Sequence, residues 1–203
     1  MPRNVAIFLF DGVEVLDFAG PFEVFSTAGY QIMDEMPFNV FTVAQNAQII
    51  ARNNLVILPT YVFENCPDID IILIPGGGGY RADGSAYGSR LEMDNEVVID
   101  WLKQKSIAAN LVLSVCTGAL ILAKAGLLDG LKATTHYRAI DHLRKIAPYT
   151  EVIENVRYVD NGSVILSAGV SAGIDMSFYV VSKLLGAEVA TLGAKYAQYD
   201  YWK

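Results

Sequence analysis

Cys116 and Asp17 are the two side chains of this sequence best suited to act together on a small electrophile, one a soft nucleophile and the other a proton carrier. Within Leu111-Val-Leu-Ser-Val-Cys-Thr-Gly118 the apolar run ends in Cys116, and Gly118 opens a helix-forming stretch, Ala119 to Ala125. An apolar, β-branched run, a sharp turn and a helix predict a nucleophile elbow with cysteine as its nucleophile. Ser114 and Gly118, each two positions from Cys116, allow the close strand-to-helix crossing this requires. The thiol then faces the first amides of the helix, whose partial positive charge favours a thiolate. The plain alternative is a cysteine buried as a small hydrophobe, and only the rest of the chain decides against it.

Asp17 lies in Val13 to Phe25, after the turn signal Asp11-Gly12 and close to an expected helix start, with Pro21 placed in the first turn. Its structural alternative is an N-cap. The glycine run Gly76 to Gly79 follows the apolar segment Ile71 to Pro75 and leaves backbone amides for an anion or oxyanion. Gly77 and Thr117 are the expected donors, and the Thr117 hydroxyl is expected to add to them. The glycine spacing is not a dinucleotide fingerprint, and no Gly-Lys-Ser/Thr follows it. His136, in a loop after Ala133-Thr-Thr, and Glu23, about two helical turns from Asp17, are expected in supporting roles at most. Cys66, before Pro67 in a connecting turn, reads as structural.

The elements that must position these groups alternate. Asn4 to Phe10, Phe38 to Ala44, Ile71 to Pro75, Leu111 to Ser114 and Val164 to Leu166 read as strands, with a small antiparallel excursion near Leu55 to Leu58 and another strand over Val152 to Tyr158. Asn161-Gly162 signals a tight hairpin. Helices are expected over Asn95 to Lys103, Ala139 to Ile146, Ile174 to Leu185 and Ala187 to Gln198. The alternation predicts one α/β domain over residues 1–203, a doubly wound sandwich with a mostly parallel sheet. Ligands of such sheets bind beyond the carboxyl ends of the strands, where Asp17, Gly76 to Gly79 and Cys116 converge.

With 53% hydrophobic and 18% charged residues, the 203-residue chain is ample for one such core. A net charge of -7 and no basic stripe argue against a nucleic-acid surface. Lys124, Gly118, Gly126 and the Ser/Cys/Thr cluster interrupt the apolar run from Leu111 to Leu128, so no membrane span is expected. The N-terminus has no secretory cleavage pattern, and two cysteines are too few for a disulfide framework. A cytoplasmic protein with free thiols is the expectation, acting on a small molecule without metal or cofactor.

Leu16-Asp17-Phe-Ala-Gly-Pro21, Ile74-Pro-Gly-Gly-Gly-Gly79, Ser114-Val-Cys-Thr-Gly118, Ala125-Gly-Leu-Leu-Asp-Gly130, Ala133-Thr-Thr-His136 and Ala168-Gly-Val-Ser-Ala-Gly-Ile-Asp175 together resemble the ThiJ/PfpI superfamily over almost the whole chain. The resemblance implies a flavodoxin-like fold and a homodimer. Two branches are similar: isocyanide (isonitrile) hydratases, in which an aspartate at the position of Asp17 partners the cysteine and a threonine follows it, and the ligand-binding half of AraC-type regulators, which carry a further basic helix-turn-helix domain. Peptidase-like members place histidine directly after the nucleophile, where this chain has Thr117, so proteolysis is not expected. Glyoxalase-like members, acting on α-oxoaldehydes, use glutamate as the cysteine's partner. A third reading is a non-catalytic module that senses oxidants through Cys116. Tyr137, where the hydratases usually carry tryptophan, and the tail Tyr196 to Trp202, without their proline-rich segment, depart from the hydratase pattern and bear on the substrate pocket.

Overall fold

The computed structural model describes residues 1–200. Seven strands form the central sheet: β1 (Arg3–Leu9), β2 (Phe38–Ala44), β3 (Tyr61–Val62), β4 (Ile71–Ile74), β5 (Leu111–Ser114), β6 (Tyr158–Asp160) and β7 (Val164–Ser167). Their order is β6-β7-β5-β4-β1-β2-β3, and every pair is parallel except β6 with β7. The centre is apolar on both faces: Val5 to Leu9 and Ile71 to Ile74 are almost wholly buried, as parallel strands covered by helices require. Among the described residues seven α-helices accompany them: α1 (Val15–Thr27), α2 (Ser89–Glu92), α3 (Glu96–Ala108), α4 (Gly118–Lys124), α5 (Ile140–Ile146), α6 (Ala172–Leu185) and α7 (Ala187–Tyr196). Helices α1, α6 and α7 pack together, while α4 packs against α2 and α5. This is the doubly wound, flavodoxin-like α/β arrangement the alternation predicts.

The chain leaves β1 toward β2 on one side and later returns to place β4 on the other, so the strand order reverses between β1 and β4. That crevice, at the carboxyl ends of β1, β4 and β5, is where such sheets bind ligands. Short hairpins decorate this edge: Ile49–Ile50 pairs with Val56–Ile57, and Gly78–Tyr80 with Ala86–Gly88.

Several elements differ from the sequence expectation for identifiable reasons. Helix α1 begins at Val15, so Asp17 is its third residue and Pro21 lies beyond the first turn. Proline there removes the N–H that would bond the Asp17 carbonyl. The expected strand from Val152 to Tyr158 is split: Glu151–Val152 pairs with Lys132–Ala133 outside the main sheet, and β6 starts only at Tyr158. Of the tail that departs from the hydratase pattern, Tyr201 and Trp202 lie outside the described residues. No helix among the described residues is long and apolar enough to cross a membrane.

Candidate active site

Cys116 sits between β5 and α4 with a φ of 55°, the left-handed region that non-glycine residues avoid. Holding a residue there costs about 1–3 kcal/mol, so its surroundings must over-determine it. They do so on both sides of the residue: its N–H donates to the Ala168 carbonyl at 2.9 Å, and its own carbonyl accepts the Thr135 hydroxyl at 2.7 Å. The crossing of α4 over β4 requires Gly118, because a Cβ at that position would fall 2.0 Å from the Ile74 carbonyl oxygen. Glycine at position 76 is equally required, since a Cβ would come within 2.4 Å of the Thr117 nitrogen and 2.9 Å of the Cys116 Cβ.

The first turn of α1 aims Asp17 at this point, with the side chain fully buried. Its Oδ2 accepts the Gly76 N–H at 3.0 Å, and it interacts with the Cys116 thiol. Burial, aided by the nearby Glu14 carboxylate, pushes the Asp17 carboxyl up to about 7 against the opposing Gly76 N–H bond. Glu14, the residue before α1, is itself ion-paired with Arg52. Burial and the Asp17 charge push the thiol up to about 12, opposed by the N–H groups of Thr117 and Val170, which point at Sγ. The N-cap residue of α4, Thr117, therefore does supply an amide to the sulfur, but desolvation and the neighbouring carboxylate outweigh it. Asp17 and Cys116 are a coupled pair that resists full ionisation, and near neutral pH they come to hold one proton between them.

The glycine loop is organised differently from expectation. The Gly76 N–H is taken by Asp17, and the Gly77 N–H donates to Thr117 Oγ1 at 3.0 Å. Ser89 completes this buried clasp: its hydroxyl donates to the Gly77 carbonyl at 2.8 Å and sits 2.7 Å from Thr117 Oγ1. Gly77 is thus not an amide left open for an oxyanion, and the Thr117 hydroxyl ties the elbow to the glycine loop. The amides that face the sulfur are those of Thr117 and Val170. Sequence reasoning missed Val170, whose φ of 45° is a strained conformation for a β-branched residue. Only its place inside the motif Ala168 to Asp175 hinted at it. Thr135 was present only as part of the motif Ala133 to His136, with no role assigned, and Ser89 has no local signal at all.

His136 packs on Gly169, where a Cβ would meet its ring at 2.4 Å, and its Nδ1 accepts the Arg138 N–H at 3.3 Å. Burial, then the Arg138 and Arg90 charges, push the imidazole below its ordinary value, so it is neutral at pH 7. With Tyr137, Asn155, Ala168 and Val170 it lines a cavity of about 300 Å³ beside the elbow. The hydratase-pattern departure at Tyr137 therefore does fall on a cavity wall. Glu23 faces solvent on α1, away from the buried pair. Cys66 is a half-buried free thiol whose Sγ contacts the Pro67 carbonyl at 3.5 Å.

A buried cysteine on a strained elbow, an acid across the switch point and amides directed at the sulfur define a cysteine site of the DJ-1/PfpI type. The DJ-1/PfpI family model matches residues 3–183, and the chain belongs to that family. Among its relatives, an isonitrile hydratase of Pseudomonas putida is 31% identical over 194 residues, covering 95% of this chain and 76% of that protein. The HTH-type transcriptional regulator CdhR of Pseudomonas aeruginosa is 25% identical over 94% of this chain, which spans only 53% of the regulator. The crystal structure of a ThiJ/PfpI family protein from Pseudomonas syringae superposes with a TM-score of 0.84 at 28% identity, over 98% of this chain and 76% of that one.

Proposed function

We propose that the protein hydrates small isonitriles to N-substituted formamides, with Cys116 as nucleophile and Asp17 as acid and base. The observation that carries this reading is the buried Asp17–Cys116 pair, in which a carboxyl raised to about 7 lies against the thiol. The terminal carbon of an isonitrile accepts a soft nucleophile and then needs a proton at the same carbon. A thiolate and a carboxylic acid sharing one proton supply both.

The sulfur forms a bond to the terminal carbon while the Asp17 proton moves to that carbon, giving a thioimidate and an Asp17 carboxylate. The carboxylate takes a proton from water as the water oxygen attacks the thioimidate carbon. Collapse breaks the carbon–sulfur bond and returns the thiolate, and the second water proton passes to nitrogen. The products are the formamide, the free thiolate and the Asp17 acid, so the pair ends as it began. The Thr117 and Val170 amides stabilise negative charge on the sulfur as it attacks and leaves. The expected supporting roles of the Thr117 hydroxyl and His136 become indirect: one holds the glycine loop, the other a cavity wall.

The reading is tested by incubating the protein with small alkyl and aryl isonitriles and identifying the product. Formamide formed catalytically supports it. Turnover of α-oxoaldehydes with no formamide would replace it by glyoxalase-like chemistry, and reversible Cys116 oxidation with neither activity would replace it by sensing. The small-molecule substrate, the homodimer and the cytoplasmic setting belong to the same proposal.

A further inference from the structure

The residues on either side of Val170 converge on one arginine. The Arg157 carbonyl accepts the Ala168 N–H at 2.9 Å, and the Ala168 carbonyl in turn accepts the Cys116 N–H at 2.9 Å. The Arg157 side chain turns to the other side of Val170. Its guanidinium pairs with Asp175 through Nε and Nη2, and Nη2 donates to the Ser171 hydroxyl at 3.3 Å. Asp175 lies in the first turn of α6 and is almost wholly buried, while half of the Arg157 side chain is exposed. Both carboxylate oxygens of Asp175 are engaged, since Oδ1 accepts the Tyr199 hydroxyl at 2.8 Å. Packing fixes the helix start as well: a Cβ on Gly173 would strike the Val115 side chain at 2.8 Å.

Val170 is therefore a strained, β-branched residue spanned by one arginine, with main-chain contact at Ala168 and side-chain contacts at Ser171 and Asp175. The Cys116 N–H bond to the Ala168 carbonyl at 2.9 Å holds this loop against the elbow, and the Val170 N–H serves the Cys116 thiol as a hydrogen-bond donor. Neither Arg157 nor Asp175 contacts the reacting groups, and the proposed reaction uses neither. An ion pair with one partner half exposed adds little stability of its own, but it does fix one geometry. We propose that Arg157 and Asp175 form a positioning clamp that holds the Val170 peptide in its strained orientation, so that its N–H supports the Cys116 thiolate. The proposal rests on Cys116 being the reactive group of this site, not on which substrate it attacks.

The charged and titratable groups around the thiol are Asp17 from α1, with Glu14 and Arg52 behind it, and the neutral His136 packed on Gly169. None of them is hydrogen-bonded or ion-paired to Arg157, Ser171 or Asp175. The test is the pH profile of Cys116 alkylation by iodoacetamide in the whole protein, read by mass spectrometry, for wild type, Arg157→Met, Arg157→Lys and Ser171→Ala. Loss of one amide from the thiolate is expected to move the Arg157→Met profile up by about one pH unit, about a tenfold slower reaction at neutral pH. Arg157→Lys, which keeps the charge and one contact to Asp175, should recover part of that shift. An upward shift that persists at high salt supports positioning over a direct charge effect, which salt screens. A profile identical to wild type in folded Arg157→Met overturns the clamp. Should that variant fail to fold, Ser171→Ala removes only the surface contact: a smaller upward shift supports the proposal and no shift overturns it. Because alkylation needs no isonitrile, failure of the hydratase reading and failure of the clamp give different results.

Discussion

Asp17 and Cys116 meet across one intervening strand: β4 lies between the strands that lead to them, and its exit residue, Gly76, has no side chain to fall between the two. A Cβ at position 76 would approach the Cys116 Cβ at 2.9 Å, while the Gly76 N–H anchors Asp17 Oδ2 at 3.0 Å. One residue therefore makes the space for the pair and orients its acid.

Replacing that acid should separate two properties of the thiol. The Asp17 charge raises the Cys116 ionisation, so Asp17→Asn is expected to move thiol alkylation to lower pH. Loss of the proton carrier should at the same time lower formamide formation by about two orders of magnitude or more. Faster alkylation with lost turnover, measured on one preparation, is the signature. Parallel loss of both would mean the variant has disrupted the elbow.

The pH dependence follows from the same pair. The monoprotonated form is the competent one, so kcat/KM should rise as pH passes through about 7, where Asp17 comes to share its proton with Cys116. Stability should move the other way. A carboxyl raised from 3.8 to about 7 on folding contributes stability that is fully present below pH 3.8 and is lost as pH rises toward 7. Denaturation of wild type and Asp17→Asn across that window should give a stability difference that changes by a few kcal/mol and flattens above pH 7. A pH-independent difference would contradict the buried, protonatable carboxyl.

Thr117→Val probes the clasp. It strands the buried Gly77 N–H and removes a neighbour of the Ser89 hydroxyl, which should cost about 1–3 kcal/mol of stability. Turnover should fall far less than in Cys116→Ala, since the hydroxyl is taken up by its contacts to Gly77 and Ser89. Equal losses in turnover would return Thr117 to a direct catalytic role.

Gly118→Ala tests the elbow. The added methyl would sit 2.0 Å from the Ile74 carbonyl oxygen, in backbone that cannot yield, so thermal or denaturant unfolding should register a loss of at least about 2 kcal/mol. Gly126→Ala, with nothing within 4 Å of its Cβ but a φ of 73°, serves as a comparison in which conformation alone is strained.

Much of this was legible in the residues. Continuous apolar runs bounded by glycine and proline located β1, β2, β4 and β5, and the small residues flanking Cys116 located the elbow, because both signals are local in sequence. The rest depends on contacts between distant segments. Exposed amides are a fair expectation for a glycine run, yet the turn at Gly76 and Gly77 points both N–H groups inward to Asp17 and Thr117. Glu23 reads as a neighbour of Asp17 by helical turns, but six residues round a helix is a different face. Val170 is hidden for the opposite reason, since valine's own preference argues against a positive φ and the contacts around it, from Cys116 to Ala168 and from Arg157 to Ser171, come from distant segments. Ser89 reaches the site from a helix that carries no motif of its own.

The most direct measurement is the rate of formamide production from a small isonitrile by wild type, Cys116→Ala and Asp17→Asn, with folding checked by circular dichroism. The account predicts turnover by wild type that is abolished in Cys116→Ala and nearly abolished in Asp17→Asn, both variants remaining folded. Formamide produced at the wild-type rate by folded Cys116→Ala, or by no protein across a series of isonitriles, would contradict it.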